Sequence, residues 1–257
     1  MFYQIKQYIK FLLRSTNQHG VHSPFVYDLV TKCFYDKTKY LEYRHIEDFR
    51  HRLNRVNHKI NVTDFGAGST KLKSSERKVS DIVKHVSISK TNAKLLFRIC
   101  NYFKPQHVLE LGTSLGFATQ GMSLGNPNSK ITTIEGCPEI TTYTSTHFQL
   151  QQLDNIKVIN GNFSEVIPEL INDTFDLIFF DGNHTKDATL HYFESLLPIA
   201  HNDSIFIFDD IYWSKGMTEA WETIKQHPKV TVTIDTFYWG LVFFRKEQVK
   251  EHFTIRV

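Results

Sequence analysis

The stretch His107-Val-Leu-Glu-Leu-Gly-Thr-Ser-Leu-Gly116 decides the fold of this chain. Its apolar first half carries a single acid, Glu110, and its second half is a turn between two glycines. A second apolar run, over 130–135, ends in Glu135. In a parallel α/β sheet this order places a backbone-lined cleft beside a carboxylate that accepts hydrogen bonds from a ribose. The pattern therefore predicts a site for a cofactor that contains a nucleoside.

Strand-like and helix-like segments alternate from about residue 91 onward, which predicts a parallel sheet covered by helices on both faces. The predicted strands of this part are 107–111, 130–135, 156–160, 175–180 and 204–208. Two later apolar runs, 230–236 and 241–245, are joined by only four residues, so they must pair as an antiparallel hairpin. Residues 1–60 predict helices, and residues 61–90, rich in Ser, Lys and Gly, predict irregular structure.

These patterns predict two regions: an N-terminal helical cap with an irregular loop at 1–90, and a cofactor-binding domain at 91–257. The segment 62–69 contains a second glycine-rich turn. It lacks a full apolar strand before it and a strand with a terminal acid after it, so we interpret it as a loop.

Composition narrows the class of protein. At 257 residues and 41% hydrophobic residues, the chain is long enough for one large α/β domain, with or without an extension. No window approaches about 18 uninterrupted apolar residues, so we expect no membrane span. The apolar N-terminal segment is interrupted by Lys6 and Lys10 and shows no cleavage site for a signal peptide. Because the three cysteines are scattered, a disulfide framework is excluded and a cytoplasmic location is expected.

The net charge of +3 conceals an asymmetry between the two halves of the chain. Residues 1–104 hold 20 Lys and Arg against 8 Asp and Glu, a net charge of +12, whereas residues 105–257 carry −9. One interpretation is an anionic partner such as nucleic acid. The other is solvated helix faces, or attraction between the halves. Because no RNA-binding motif accompanies the charge, nucleic acid is not the favoured partner.

The segment 91–257 resembles the class I S-adenosylmethionine-dependent methyltransferases. The resemblance rests on the turn at 110–116, on Glu135, on Gly161-Asn162-Phe163, on Asp181 and on the final hairpin. The Gly-x-x-x-Gly spacing of the turn differs from the Gly-x-Gly-x-x-Gly of NAD-binding proteins. The resemblance implies a Rossmann-like seven-stranded sheet, mostly parallel with a C-terminal antiparallel hairpin, plus an N-terminal helical extension. It also implies S-adenosylmethionine as the cofactor.

The resemblance assigns several residues to this cofactor. Small residues let the main chain approach it closely. Glu110 orients the methionine end, unless it is an acid satisfied by nearby backbone N–H groups, and Glu135 holds the ribose hydroxyls. The assigned residues are Glu110, Gly112, Thr113, Ser114, Gly116, Glu135, Asn162 at the adenine, Phe163 packing beside it, and Asp181.

Acids follow two neighbouring strands at the point where each strand ends. Asp181 follows the run 177–180, and Asp209 and Asp210 follow the run 205–208. Because the carboxyl ends of parallel strands face one crevice, these acids are expected to converge. Crowded carboxylates need a cation or raised pKa values, and oxygen ligands suit Mg²⁺, Ca²⁺ or Mn²⁺. The alternatives are that Asp181 binds the cofactor's amino group and that the acid pair caps a helix or loop.

The acid cluster resembles the metal site of the catechol-type and macrolide-sugar O-methyltransferases. In the catechol type, a Lys three residues after the first acid acts as the base, and here that position is His184. Histidine is able to accept a proton near neutral pH. The resemblance implies His184 and Asp181 as catalytic residues, and Asp181, Asp209 and Asp210 as ligands of a divalent cation.

The sequence thus predicts methyl transfer to the hydroxyl of a small molecule, assisted by a divalent metal. One alternative is an RNA or tRNA methyltransferase that uses the basic N-terminal half. Another is a non-catalytic cofactor-binding protein. The amphipathic first helix is expected to pack either on its own core or on a second copy of the chain. The sequence therefore does not decide between a monomer and a homodimer.

Overall fold

The computed structural model describes residues 2–63 and 74–257 as a mixed α/β chain. The helices are α1 Phe2–Arg14, α2 Pro24–Leu29, α3 Glu42–Leu53, α4 Val79–His85, α5 Lys90–Phe103, α6 Phe117–Gly125, α7 Pro138–Leu150, α8 Phe163–Leu170, α9 Lys186–Leu196 and α10 Lys215–Gln226. The strands are β1 Lys59–Asn61, β2 Glu76–Lys78, β3 His107–Leu111, β4 Lys130–Glu135, β5 Ile156–Asn160, β6 Leu177–Phe180, β7 Ile205–Phe208, β8 Val232–Asp235, β9 Gly240–Phe243 and β10 Glu251–Thr254.

The chain divides into two compact units. Asp36–Phe163 forms one, which we call the central unit, and Met1–Tyr35 with Ser164–Val257 forms the other, the terminal unit. Residues 2–35 therefore belong to the same unit as the C-terminal part of the chain. The predicted boundary at residue 90 stays a prediction. Among the described residues, no helix is both long and apolar enough to span a bilayer.

The central unit contains three parallel strands in the order β3-β4-β5. Val108, Leu109 and Leu111 are buried, as a parallel strand covered on both faces requires. The register places Glu110 opposite Thr133. Helices α5 and α6 pack on each other, and α7 packs on β4 and β5. The strands β1 and β2 form a separate antiparallel pair.

The terminal unit contains five strands in the order β10-β8-β9-β7-β6. All residues of β6 and β7 are apolar and buried, and the two strands are parallel. Strand β9 runs antiparallel to both β7 and β8, which confirms the predicted hairpin. Strand β10 pairs in parallel with β8 and lies beyond the last predicted strand.

The predicted fold class, a Rossmann-like α/β sheet that is mostly parallel with a terminal hairpin and additional helices, is confirmed. One expectation was wrong in part: residues 61–90 are not irregular throughout, because β2 and α4 lie there. Helix α4 forms because Val79, Ile82 and Val83 share one face and pack against Phe49 of α3. The turn interpreted as a loop at 62–69 lies, from residue 64 onward, outside the described residues.

Helix α1 is anchored within the terminal unit by its polar side chains. The Tyr3 hydroxyl donates to Thr218 Oγ1 at 2.8 Å, and the Arg14 guanidinium donates to Asp235 Oδ2 at 2.7 Å. Arg14 also donates to the Tyr212 hydroxyl. Burial raises the pKa of Asp235, although hydrogen bonds from the Tyr212 hydroxyl and the Phe237 amide, and the charge of Arg14, act in the opposite direction.

Candidate active site

The turn after β3 has the backbone conformation that its glycines allow. Gly112 and Gly116 have φ of 108° and 77°, and Ser114 between them has φ of 46°. The amides of Gly112 and Thr113 both donate to the Ile134 carbonyl of β4, at 3.0 and 3.2 Å. A Cβ on Gly116 would lie 2.4 Å from the Phe148 ring of α7, so close packing as well as backbone conformation requires glycine there.

Glu135 joins this turn to the one after β4. Its Oε2 accepts the Ser114 amide at 2.9 Å, and its Oε1 accepts the Cys137 amide at 2.9 Å. Each carboxylate oxygen retains acceptor capacity after one such bond, and the side chain is only partly buried. Glu135 is therefore held in one orientation and is still able to accept hydrogen bonds from a ligand.

Glu110 is fully buried. The hydroxyls of Thr119 and Thr133 both donate to its Oε2 at 2.5 Å, and Thr113 bonds in turn to Thr133 at 2.6 Å. No described residue bonds to its Oε1. Burial raises the pKa of Glu110 to about 8, although the two threonine hydroxyls act in the opposite direction. Near neutral pH the side chain is thus a neutral acid.

The threonines were not identified from the sequence. The alternative considered for Glu110, an acid satisfied by backbone N–H groups, differs from the contacts found, because its partners are side-chain hydroxyls. Aligning β3 with β4 would have placed Thr133 opposite Glu110. Asn162 and Phe163, which follow β5, are both partly buried and remain accessible in part to a ligand.

The terminal unit brings together Asp181, His184 and Asp209. One ligand-type atom from each residue lies within 4.8 Å of the other two. The distance from His184 Nε2 to Asp181 Oδ1 is 3.6 Å. The side chains of Asp181 and Asp209 are hydrogen bonded to each other, and Trp239 donates its indole N–H to Asp209 Oδ1 at 2.7 Å.

Burial dominates the electrostatics of this cluster. It raises the pKa of Asp209, and the neighbouring charge of Asp210 raises it further. Burial also raises the pKa of Asp210 and lowers the pKa of His184. A hydrogen bond between two carboxyl groups requires a proton, which a cation would replace. The two carboxyl groups therefore fit a divalent cation such as Mn²⁺ or Mg²⁺, with the imidazole of His184 beside them.

The cluster differs in composition from the expected set of three acids. Asp210, with φ of 53°, is not among the three residues grouped by distance, although its charge acts on His184 and Asp209. His184, predicted as a base, is one of the three. Sequence reasoning also missed Trp239, which orients an acid of the cluster.

The protonation of Glu110 makes the free energy of unfolding depend on pH. Its pKa rises from 4.5 to about 8 on folding, so the folded state binds the extra proton and the free energy of unfolding falls as pH rises through this interval. The loss is about 1.4 kcal/mol per pH unit at most. Glu110→Gln removes this pH dependence. In urea unfolding, the free energy of unfolding of the variant minus that of the native chain should therefore be larger at pH 9 than at pH 5. Glu165→Gln, at an exposed position, is the control; equal pH slopes for native and Glu110→Gln chains would contradict the assignment.

Comparison with known proteins connects these features to a family. Residues 109–211 match a methyltransferase domain family. A catechol O-methyltransferase from Mycobacterium tuberculosis is 24% identical over 134 residues, which are 51% of this chain and 60% of that protein. One from Niastella koreensis is 24% identical over 131 residues, covering 49% and 58% of the two chains. The chain thus spans about three fifths of the length of these curated relatives.

A solved structure gives the same fold. The methyltransferase from Podospora anserina with bound S-adenosylhomocysteine aligns with a TM-score of 0.61 and 15% identity, over 88% of this chain and 97% of that chain. This similarity of fold covers most of the chain, whereas the domain match covers residues 109–211. Residues 109–211 thus match a methyltransferase domain family, and the chain has the fold of this solved methyltransferase.

Proposed function

We propose that this protein transfers a methyl group from S-adenosylmethionine to the hydroxyl oxygen of a small molecule, with a divalent cation at the acidic cluster. The observation that carries the proposal is the grouping of Asp181, His184 and Asp209 within 4.8 Å of one another. The relatives named catechol O-methyltransferase support a phenolic acceptor. Both the acceptor and the cation are part of the proposal.

The central unit supplies the residues for the methyl donor. Glu135, already oriented by two backbone amides, accepts the ribose hydroxyls. Glu110, which is protonated without ligand, loses its proton when the cationic donor binds and then orients the methionine end as a carboxylate, either directly or through water. The remaining proposed contacts are the turn residues Gly112, Thr113, Ser114 and Gly116, with Asn162 and Phe163 at the adenine.

The terminal unit supplies the residues for the acceptor. A cation held by Asp181 and Asp209 would lower the pKa of a bound hydroxyl and fix its orientation. Asp210 contributes negative charge next to this pair. The reaction exchanges the donor's S–CH₃ bond for an O–CH₃ bond and releases the hydroxyl proton. We propose that His184 accepts this proton, since burial lowers its pKa and keeps the imidazole neutral.

Part of the positive charge of the N-terminal half serves internal contacts rather than an anionic partner. Arg14 binds Asp235, and Arg50 donates to the backbone carbonyls of Val83 and Ile88. Lys94 pairs with Glu47 at 2.5 Å. These cations are committed to holding the fold and are not a free electrostatic platform.

Removal of the acidic cluster tests the proposed metal. We expect Asp181→Asn and Asp209→Asn to lower methylation of catechol, followed by mass spectrometry, by about a hundredfold. Each should also weaken Mn²⁺ binding in electron paramagnetic resonance, a readout that does not depend on the acceptor. Asp173→Asn, an exposed acid before β6, is the control. Full activity of the native protein in chelator, or unchanged Mn²⁺ binding by both variants, would contradict the metal role.

Substitution of His184 separates proton transfer from cation binding. His184→Ala should lower kcat about a hundredfold while leaving the affinities for S-adenosylmethionine and Mn²⁺ unchanged. His184→Lys should restore much of the rate, because lysine is also able to accept the proton. His191→Ala, exposed on α9, should behave as the native protein. A loss of Mn²⁺ affinity in His184→Ala with no recovery in His184→Lys would make this histidine a ligand and refute its role as base.

A further inference from the structure

Helix α1 presents its polar side to its own unit. Besides Tyr3 and Arg14, Gln4 contacts the unit, donating from its side chain to the Trp213 carbonyl at 3.3 Å. Phe11 is its only buried residue. In a helix stabilised by the core beneath it, the apolar face would be the inner one. Here most of the apolar residues lie on the outer face.

The outer side carries an apolar stripe, defined as Phe2, Ile5, Ile9, Leu12 and Leu13. These residues fall at the spacing that places side chains on one helix face. Phe2 and Leu13 are 93% and 84% exposed, Ile5 and Ile9 are each 54% exposed, and Leu12 is 36% exposed. A contiguous exposed apolar surface of this kind marks an interaction site.

Aromatic residues extend this surface beyond the helix. Tyr8 of α1 contacts Phe237 edge-to-face, with ring centroids 4.8 Å apart, and Phe237 contacts Tyr238 at 5.1 Å. Tyr238 is 56% exposed, and Trp213, whose carbonyl bonds to α1, is 40% exposed. Tyrosine and tryptophan are the side chains that favour the boundary between lipid and water, because their rings are apolar and their tips are polar.

The charges beside the stripe indicate which partner covers it. Lys6 and Lys10 are exposed and form no ion pair with any residue in 2–63 or 74–257, and α1 contains no Asp or Glu. On neighbouring α10, Glu219 and Glu222 are each paired with a lysine. A second copy of the chain would add the same positive helix, whereas an anionic surface would complement it.

We propose that the outer face of α1, with Trp213 and Tyr238, is a docking surface for an anionic lipid membrane. At 13 residues the helix is about 20 Å long, too short to cross a bilayer and suited to lie in its interface. The apolar stripe enters the boundary between headgroups and acyl chains, and Lys6 and Lys10 bind the lipid phosphates. This inference does not depend on the proposed catalytic function.

Cosedimentation of the full chain with vesicles tests the proposal. We expect binding to an equimolar mixture of phosphatidylglycerol and phosphatidylcholine, and at least tenfold weaker binding to phosphatidylcholine alone. Replacing both lysines, Lys6→Gln with Lys10→Gln, should weaken binding to the anionic vesicles about thirtyfold. Leu13→Asp should weaken it about tenfold. Val249→Asp, at a position 81% exposed in the same unit but outside α1, should bind as the native chain does.

Three outcomes would overturn the proposal. They are no binding to either vesicle, equal binding to both, and a dimer in analytical ultracentrifugation that Leu13→Asp dissociates while vesicles are not bound. The last result would assign the stripe to a second copy of the chain. Methylation of a soluble acceptor should be unchanged in Leu13→Asp, so a failure of the docking surface is distinguishable from a failure of the proposed function.

Discussion

Carboxyl groups buried at or near the ends of apolar strands are the constraint on which the candidate site depends. A carboxylate removed from water must be neutralised by a proton or by a cation. Glu110 is neutralised by a proton in its threonine cage, and Asp209 shares a hydrogen bond with Asp181 beside the Trp239 indole. Each unit of the chain therefore contains a buried carboxyl group whose proton a positively charged ligand is able to replace. In the proposed function, a sulfonium donor in one unit and a divalent cation in the other would satisfy that demand.

Much of the fold follows from local sequence. The limits of β3 and β4 were predicted to the residue, because an apolar parallel strand that ends in a glycine turn or an acid leaves little freedom in its boundaries. The convergence of Asp181 and Asp209 was also predictable, since the carboxyl ends of neighbouring parallel strands meet. These features depend on residues close together in sequence or on a general rule of sheet topology.

The features that escaped prediction depend on contacts between distant segments. The bond from Trp239 to Asp209 requires the register of a hairpin against β7, and the pairing of β10 with β8 is parallel and non-local. The pattern of α1 predicts which residues share a face but not which face points inward. That choice is decided by polar anchors such as Arg14 on Asp235, which only the folded chain reveals.

The central claim, that Glu110 holds a proton until a cationic donor arrives, is tested most directly by calorimetry near pH 7 in two buffers of different ionisation enthalpy. The account predicts that S-adenosylmethionine binding releases close to one proton, because the sulfonium and amine lower the raised pKa of Glu110. S-adenosylhomocysteine, which lacks the sulfonium charge, should release less, and Glu110→Gln should abolish the difference. Equal proton release for both ligands in the native protein, or an unchanged difference in Glu110→Gln, would contradict it.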